Sequence, residues 1–352
     1  MAINLAKAYS GDIDKKFTLE SFVAGKVSTK YSFNGVNSVT IYNPVTKAVG
    51  TYTRSGENRF GTVTEMEDTI QTLTLSQDIA WTISIDRGNN EDQMNIKGAG
   101  EMLKMQLEEQ VVPTMDMYAL DKFAKQAGNS VVVSASAKGT IVGLLNDGLT
   151  KLRNKKVPMR DIFIFVGATV YGQLLLATEL IAVEPIAVQQ LGNGLVGKFM
   201  GHMVVAVPDD YLPTGVQFVI WHKNSVIMPR KIRTLRILTD VQGVDGAVLE
   251  GRDYYDAFIL MNKADGVYTA VLTANKVATP VITPTGASHA IGAVAGVTFV
   301  YTTDGTDPRY SATAVAGAGP VVLTSGQTLK VFGKATDGSK VWSDVASALY
   351  TA

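Results

Sequence analysis

The sequence predicts a mixed α+β body followed by a smaller all-β tail, and three observations carry that reading. From Leu73 to Ile85 the apolar residues Leu73, Leu75, Ile79, Trp81, Ile83 and Ile85 fall on odd positions with polar residues between them. That is the period of a strand with one buried face. From about Glu91 to Ala127 the apolar residues Ile96, Ala99, Leu103, Leu107 and Val111 recur at spacings of three and four, as on an amphipathic helix. Past Ala274 the composition shifts to Thr, Ala, Gly and Val, with nine charges in residues 276–352 and no helical period. For 352 residues, 46% of them hydrophobic, two domains are expected.

Taken in order, residues 1–37 show neither period and read as an extended arm punctuated by Gly11, Gly25 and Gly35. Val39 and Ile41 alternate up to the turn-forming Asn43-Pro44, a polar glycine-rich tip follows, and the run to Ile85 returns. This predicts a two-stranded ribbon whose return strand is unbroken and on the order of 40 Å long. So long a ribbon is marginal alone, so its apolar face is expected to be covered by a second copy of the chain. Asn89-Asn90-Glu91-Asp92 predicts the start of a helix, with a capping amide and acids in its first turn. Pro113 is expected to kink or break that helix near Val112, and Gly128-Asn129 to stop it. Helices over Lys138–Asn154 and Ala168–Leu180 then interleave with strands over Ile162–Val166, Lys198–Val207, Val216–Trp221, Ile232–Leu238 and Phe258–Asn262. Beyond Pro280 and Pro284, short alternating runs separated by Asp304-Gly305, Ser325-Gly326 and Asp337-Gly338 predict a small β-sandwich.

Composition narrows the function classes. Lys plus Arg and Asp plus Glu are 32 each, so no global basicity marks a nucleic-acid binder, and any basic surface is local. Only 18% of residues are charged, below the usual quarter or so, which favours association. With no cysteine there is no thiol chemistry or disulfide. Met1–Tyr9 lacks a basic start and apolar run, so no signal peptide is expected, and the apolar stretch between Asp161 and Glu179 is too interrupted to span a bilayer.

No motif carries catalysis. Gly192-Asn-Gly-Leu-Val-Gly197 has the letters of a dinucleotide loop, but a strand-like run follows it where a helix N-terminus is required. Glu108-Glu109 point to different helix faces, Asp209-Asp210 follow Pro208 in a loop, and Asp253/Asp256 read as turn or salt-bridge acids, Arg252 being the nearest cation. His202, His222 and His289 lack ligand spacing. Asp304-Gly-Thr-Asp307 lacks the rest of a calcium loop and reads as a turn. No catalytic, metal or cofactor residue is assigned, and no enzyme is expected.

The charged clusters point instead to contacts between copies. Lys47, Arg54, Glu57 and Arg59 sit on the ribbon tip, with Glu65, Glu67 and Asp68 behind them and Trp81 on the return strand. Lys151, Arg153, Lys155, Lys156 and Arg160 form one basic run, and Lys223, Arg230, Lys231, Arg233 and Arg236 another. Either run can meet phosphates or the acidic segments Glu65–Asp68 and Glu101–Asp121 of a neighbour. The missing aromatic interleaving favours the neighbour.

The order of arm, ribbon, long helix with Pro113, α+β body and returning strands resembles the major capsid proteins of tailed bacteriophages with the Hong Kong 97-type fold. The phrases that carry it are Leu75-Ser-Gln-Asp-Ile-Ala-Trp-Thr-Ile-Ser-Ile-Asp86, Val111-Val-Pro-Thr-Met-Asp-Met-Tyr118, Gly194-Leu-Val-Gly-Lys-Phe-Met-Gly201 before Val204–Pro208, Gly251-Arg-Asp-Tyr-Tyr-Asp-Ala-Phe258 and Lys263-Ala-Asp-Gly-Val-Tyr268. Thr114 stands where related coats often carry an acid. The tail phrase Phe299-Val-Tyr-Thr-Thr-Asp-Gly-Thr-Asp-Pro308, with Leu329-Lys-Val-Phe-Gly-Lys-Ala335, resembles the immunoglobulin-like module at the C-termini of chitobiase-type proteins.

The resemblance implies a capsid domain over 1–275: an N-terminal arm (1–37), an extended loop (38–85), a peripheral domain with the spine helix (86–130 and 236–275) and an axial domain (131–235). Residues 276–352 would be an immunoglobulin-like surface domain, an outward appendage whose deletion leaves assembly intact. It further implies hexamers and pentamers in a closed icosahedral shell around double-stranded DNA, held by weak non-specific contact. A portal and a separate scaffolding protein would be partners, no cofactor is needed, and the product would be made in the host cytoplasm and reside in the virion. Weak carbohydrate or cell-surface contact by the tail is also implied. The alternatives are an encapsulin-like compartment shell and, from another class, a carbohydrate-binding surface protein.

Overall fold

The computed structural model describes residues 21–31, 33, 36–92, 97–134, 139–177, 197–239 and 241–351. The arm up to residue 20, Ile96, the segment 135–138, the helix end at Leu180 and the dinucleotide-like loop through Val196 lie outside the described residues. The ribbon is β1 (Ser38–Pro44) against β2 (Asp68–Thr74), antiparallel, with Val39 opposite Leu73. The return run is not one strand. It breaks at Leu75-Ser76, and β3 (Gln77–Asp86) leaves the ribbon. The buried Asp256 carboxylate takes the Ser76 amide at 2.9 Å and its hydroxyl at 2.7 Å, while Tyr254 donates its hydroxyl to the Leu75 carbonyl at 3.2 Å, so the Leu75 carbonyl and the Ser76 amide are bonded to side chains and not to a neighbouring strand. The predicted alternation holds within β3, whose odd positions from Gln77 to Ile85 face inward.

Next come α1 (Arg87–Asp92), α2 (Ala99–Gln106) and α3 (Val112–Lys125). The helix start is capped by Asp86, whose carboxylate accepts the Asn89 amide at 2.9 Å; Asn89 through Asp92 lie inside the helix and are not its cap. Pro113 does not break the axis. A wider turn at Leu107–Val111 precedes it and supplies the room its ring needs against the preceding turn. Then follow β4 (Asn129–Val133), α4 (Ile141–Asn154), β5 (Ile162–Gly167), α5 (Ala168–Leu175), β6 (Lys198–Phe199), β7 (His202–Val207), β8 (Val216–His222), β9 (Val226–Ile227), β10 (Arg230–Leu238), β11 (Gly246–Tyr255), β12 (Phe258–Ile259) and β13 (Val267–Leu272). The run predicted as a strand over Lys198–Val207 is a hairpin, folded at Met200-Gly201 with both φ angles positive.

Six strands form the central sheet in the order β4-β13-β8-β5-β7-β6. Trp221, Val219, Phe165, Val205 and Val267 face α3, whose Ala119, Leu120, Phe123 and Ala124 are fully buried. Phe218, Ile220, Ile164, Val204 and Tyr268 face α4 and α5 on the other side. A sheet covered on both faces explains why β8 reads as a continuous apolar run rather than an alternating one. A second sheet, β10-β11-β3, is antiparallel throughout.

The expected need for a second copy over Leu73–Ile85 is corrected here. Leu73, Leu75 and Ile85 are buried within the chain. Ile41, Phe33, Ile227 and Leu260 cover the ribbon end, and Val111, Met115 and Tyr255 cover Ile79 and Trp81. The break at Ser76 lets each half of the run lie on its own chain.

The last described part of the arm is latched to α3. Asp116, 3% exposed, accepts the Ser21 hydroxyl at 2.8 Å and the Phe22 amide at 2.6 Å. Burial pushes its carboxyl up, against those bonds and the Lys26 charge. The folded form therefore holds this proton more tightly than the unfolded chain does. The group favours the fold below about pH 4, and that contribution is lost as pH rises through the elevated value. Asp116→Asn is expected to flatten the fall in melting temperature as pH rises above about 4; an unchanged slope would contradict this.

The tail strands are β14 (Ile282–Thr285), β15 (Ser288–Ile291), β16 (Val297–Thr302), β17 (Val315–Ala316), β18 (Val321–Val322), β19 (Thr328–Ala335) and β20 (Ala346–Leu349). They make two sheets, β14-β15-β18 and β17-β16-β19-β20, joined by one cluster of Ile291, Phe299, Val321, Leu323, Leu329 and Val331.

Candidate subunit-interface site

Residues 45–67, between β1 and β2, hold no strand and project as an irregular tip. Lys47 Nζ bonds the Thr62 carbonyl at 2.9 Å and the Thr64 hydroxyl at 3.0 Å, Arg59 Nε bonds the Gly56 carbonyl at 3.2 Å, and the Thr53 amide bonds the Arg59 carbonyl at 3.1 Å. Left-handed turns at Gly56, Asn58 and Gly61 bring the two sides together, with Tyr52 and Phe60 edge to face at 5.0 Å. The tip is thus ordered around its own polar bonds and leaves its apolar groups in water. Val49 is 100%, Phe60 94% and Val63 92% exposed, with Met66 and Tyr52 exposed beside them. Scattered apolar residues need no explanation, but several exposed along one loop make it a candidate contact surface.

Arg54, Glu57, Glu65 and Glu67 are exposed on the same tip, and no ion pair engages them among the described residues. Asp68 lies at the base, opposite Pro44. Trp81 does not join them. It sits opposite Gly251 in the second sheet, its ring so close that a Cβ on Gly251 would lie 2.3 Å away, and it packs with Val111, Met115 and Tyr255.

The basic runs are partly neutralised within the chain. Lys155 lies 3.3 Å from Asp265, and Lys151 stands 5.8 Å above the Tyr268 ring. Arg236 pairs with Glu250 at 2.7 Å. Arg230 Nε lies 2.8 Å from Asp253, an ion pair without hydrogen-bond geometry, since neither carboxylate oxygen receives a hydrogen bond. Arg252 pairs with Asp78 across the sheet and not with Asp253. Arg153, Lys156 and Arg233 remain exposed. Lys155, Lys156, Lys263, Asn262, Asp265 and His222 line a cleft of about 260 Å³, where burial lowers the His222 pKa and its Nδ1 accepts the Asn224 amide.

The carboxylate pairs are structural. Asp209 accepts the Thr169 amide at the start of α5, and Asp256 accepts Ser76, Tyr118 and the Ala257 amide. Asp304 is engaged by Thr306 and Thr313, and Asp307 by Arg309. Among the described residues no group of three or more acidic or histidine side chains is placed to hold a metal ion.

Comparison with solved structures decides the fold. A chain from Mycobacterium phage Che8 superposes with a TM-score of 0.64 at 18% identity, covering 76% of this chain and 96% of that one. The capsid structure of cyanophage P-SCSP1u matches with a TM-score of 0.64 at 12% identity, over 76% and 93% of the two chains. This is a phage capsid fold. The mature capsid of bacteriophage PhiM1 shares the phage capsid fold with a TM-score of 0.59 at 14% identity, over 77% and 92%. No protein-family model and no curated protein matches the chain. What sequence reading missed is a set of contacts from the tail to the end of α3, through Arg309 and Tyr310, and to β4, through Asp344; the one hint was a charged cluster in a tail otherwise short of charge.

Proposed function

We propose that this chain is the major capsid protein of a tailed phage, with the Hong Kong 97-type fold, assembling through hexamers and pentamers into an icosahedral head around double-stranded DNA. The observation that carries this is the fold match: solved phage capsid chains are covered over more than nine-tenths of their length. The wet apolar tip supports it, because a repeated contact accumulates avidity in a closed shell even when each copy is weak. In this reading residues 38–85 are the extended loop, 86–130 and 236–275 the peripheral domain, 131–235 the axial domain, and 276–352 an immunoglobulin-like unit. A share of this chain close to that of 276–352 is left over after the match. Lys47, Arg54, Glu57, Arg59, Glu65, Glu67 and Asp68 would rim the contact, and Arg153, Lys156 and Arg233 would face either a neighbour or DNA phosphates. Portal and scaffolding protein would be further partners, and the virion the location.

A compartment shell of the same fold is the second reading. The carbohydrate-binding reading finds less support, because no tail aromatic is fully exposed as a platform for a sugar: Phe299, Phe332 and Tyr310 are buried, and Tyr301, Trp342 and Tyr350 are half-buried, Trp342 with its ring tilted against Phe332 at 4.9 Å. Negative-stain microscopy of the purified chain tests the proposal. Closed polyhedral particles or capsomer rings are expected, and a discrete monomer at micromolar concentration would overturn it. Nucleic acid inside particles from infected cells separates coat from compartment.

A further inference from the structure

The carbonyls at the end of a helix have no partner within it and ordinarily turn to water or to a glycine cap. At the end of α3 the last carbonyl, that of the cap residue Gln126 and the two that follow turn to the tail. Trp342 gives its amide to the Lys125 carbonyl at 3.2 Å, Tyr310 gives its hydroxyl to Gln126, and Arg309 Nη1 reaches Ala127 at 2.9 Å and Gly128 at 3.1 Å. Four consecutive carbonyls, Lys125 to Gly128, are thus bonded by residues 181 or more positions away. The Arg309 side chain is 9% exposed and held in place by Asp307, with Nη2 to Oδ2 at 2.7 Å and Nε to Oδ1 at 3.0 Å. A guanidinium there also meets the negative end of the helix dipole.

The contact has the anatomy of a protein interface, with an apolar centre inside a polar rim. Tyr310 and Val341 belong to the body's own main core, together with Phe123, Ala124 and Val271. Around them, Asp344 joins Lys276 at 2.6 Å to Ser130 on β4 at 2.9 Å. The same tail loop reaches the ribbon, where the Ala312 amide bonds the Ile70 carbonyl on β2 at 3.0 Å.

We propose that residues 280–352 are a docked binding partner of the α3 C-terminus, a clamp that caps this helix and ties it to the ribbon base. The clamp sets the angle between the two elements within one copy. It is not an appendage on a tether, and its loss would loosen both elements. This inference does not depend on the capsid reading, because its test reads contacts within one copy whether or not copies associate.

A protease site inserted between the exposed Ala278 and Thr279 in the full chain allows the link to be cut after folding. The cut tail is expected to co-elute with the body in gel filtration at micromolar concentration, and a tail that elutes separately would overturn the proposal. In the cut chain Arg309→Met is expected to weaken tail binding at least tenfold, with Arg309→Lys between, because a lysine cannot hold Asp307 in two bonds and two carbonyls at once. In the uncut Arg309→Met chain, amide exchange is expected to rise locally over residues 122–133 and 68–74. A rise spread evenly over the chain, or none, would show Arg309 to be ordinary packing and sink the clamp.

Discussion

Replacing Tyr52, Phe60 and Val63 together by serine is expected to leave the folded chain intact and to abolish closed particles. These side chains touch little of their own chain beyond the Tyr52–Phe60 edge contact, and Phe60 and Val63 are almost wholly in water. Their removal costs the isolated fold little. In a shell that buries them, each is worth about 1.5–3 kcal/mol when fully covered. Losing three weakens each contact by at least about a thousandfold, and every contact in the shell suffers alike. Circular dichroism melting reads the fold and electron microscopy reads the particles. Normal particles from the triple variant would show that the tip is not the contact.

Asp256→Ala is expected to have the opposite profile, a large loss of stability. Its carboxylate, 1% exposed, accepts four bonds: from the Ser76 amide at 2.9 Å, the Ser76 hydroxyl at 2.7 Å, the Tyr118 hydroxyl at 2.8 Å and the Ala257 amide at 2.7 Å. Burial and this carboxylate together hold the Tyr118 hydroxyl well above its ordinary pKa, so it stays a donor. Alanine leaves those donors without an acceptor, a cost of about 3–5 kcal/mol. The carboxylate also stands where the run from Leu73 to Ile85 divides between ribbon and sheet, so the ribbon base should loosen as well. Denaturant unfolding measures the first effect and amide exchange over 68–80 the second. A variant as stable as the parent would mean that the division is held by strand pairing alone.

The parts legible in the sequence are those set by local period. The alternation of β3 was readable because each odd residue from Ile79 to Ile85 faces the same way, whatever lies beneath. The helix through Leu103, the α4 and β5 segments and the turn-separated strands of the tail were readable for the same reason. The division at Ser76 was not, because its cause is Asp256, 180 positions away. Nor was the passage through Pro113, since a single extra residue in the preceding turn removes the expected break. Trp81 read as a contact residue because it lies on the apolar face of the return strand, yet Gly251 makes a bed for it inside the chain. The cap of α3 drew on Arg309 and Tyr310, whose own neighbourhood suggests only a turn.

By itself the sequence determined where a local period of strand or helix runs, which face of each such run is apolar, that thiol chemistry is absent, and where the tail's composition departs from the body's, because these follow from side-chain type and spacing along the chain. Tertiary structure alone decided which apolar faces stay wet, which acids are tied up, and what the tail grips. Coverage and pairing are properties of two segments meeting in space, and a residue's own neighbours in the chain hold no record of a partner a hundred or more positions distant.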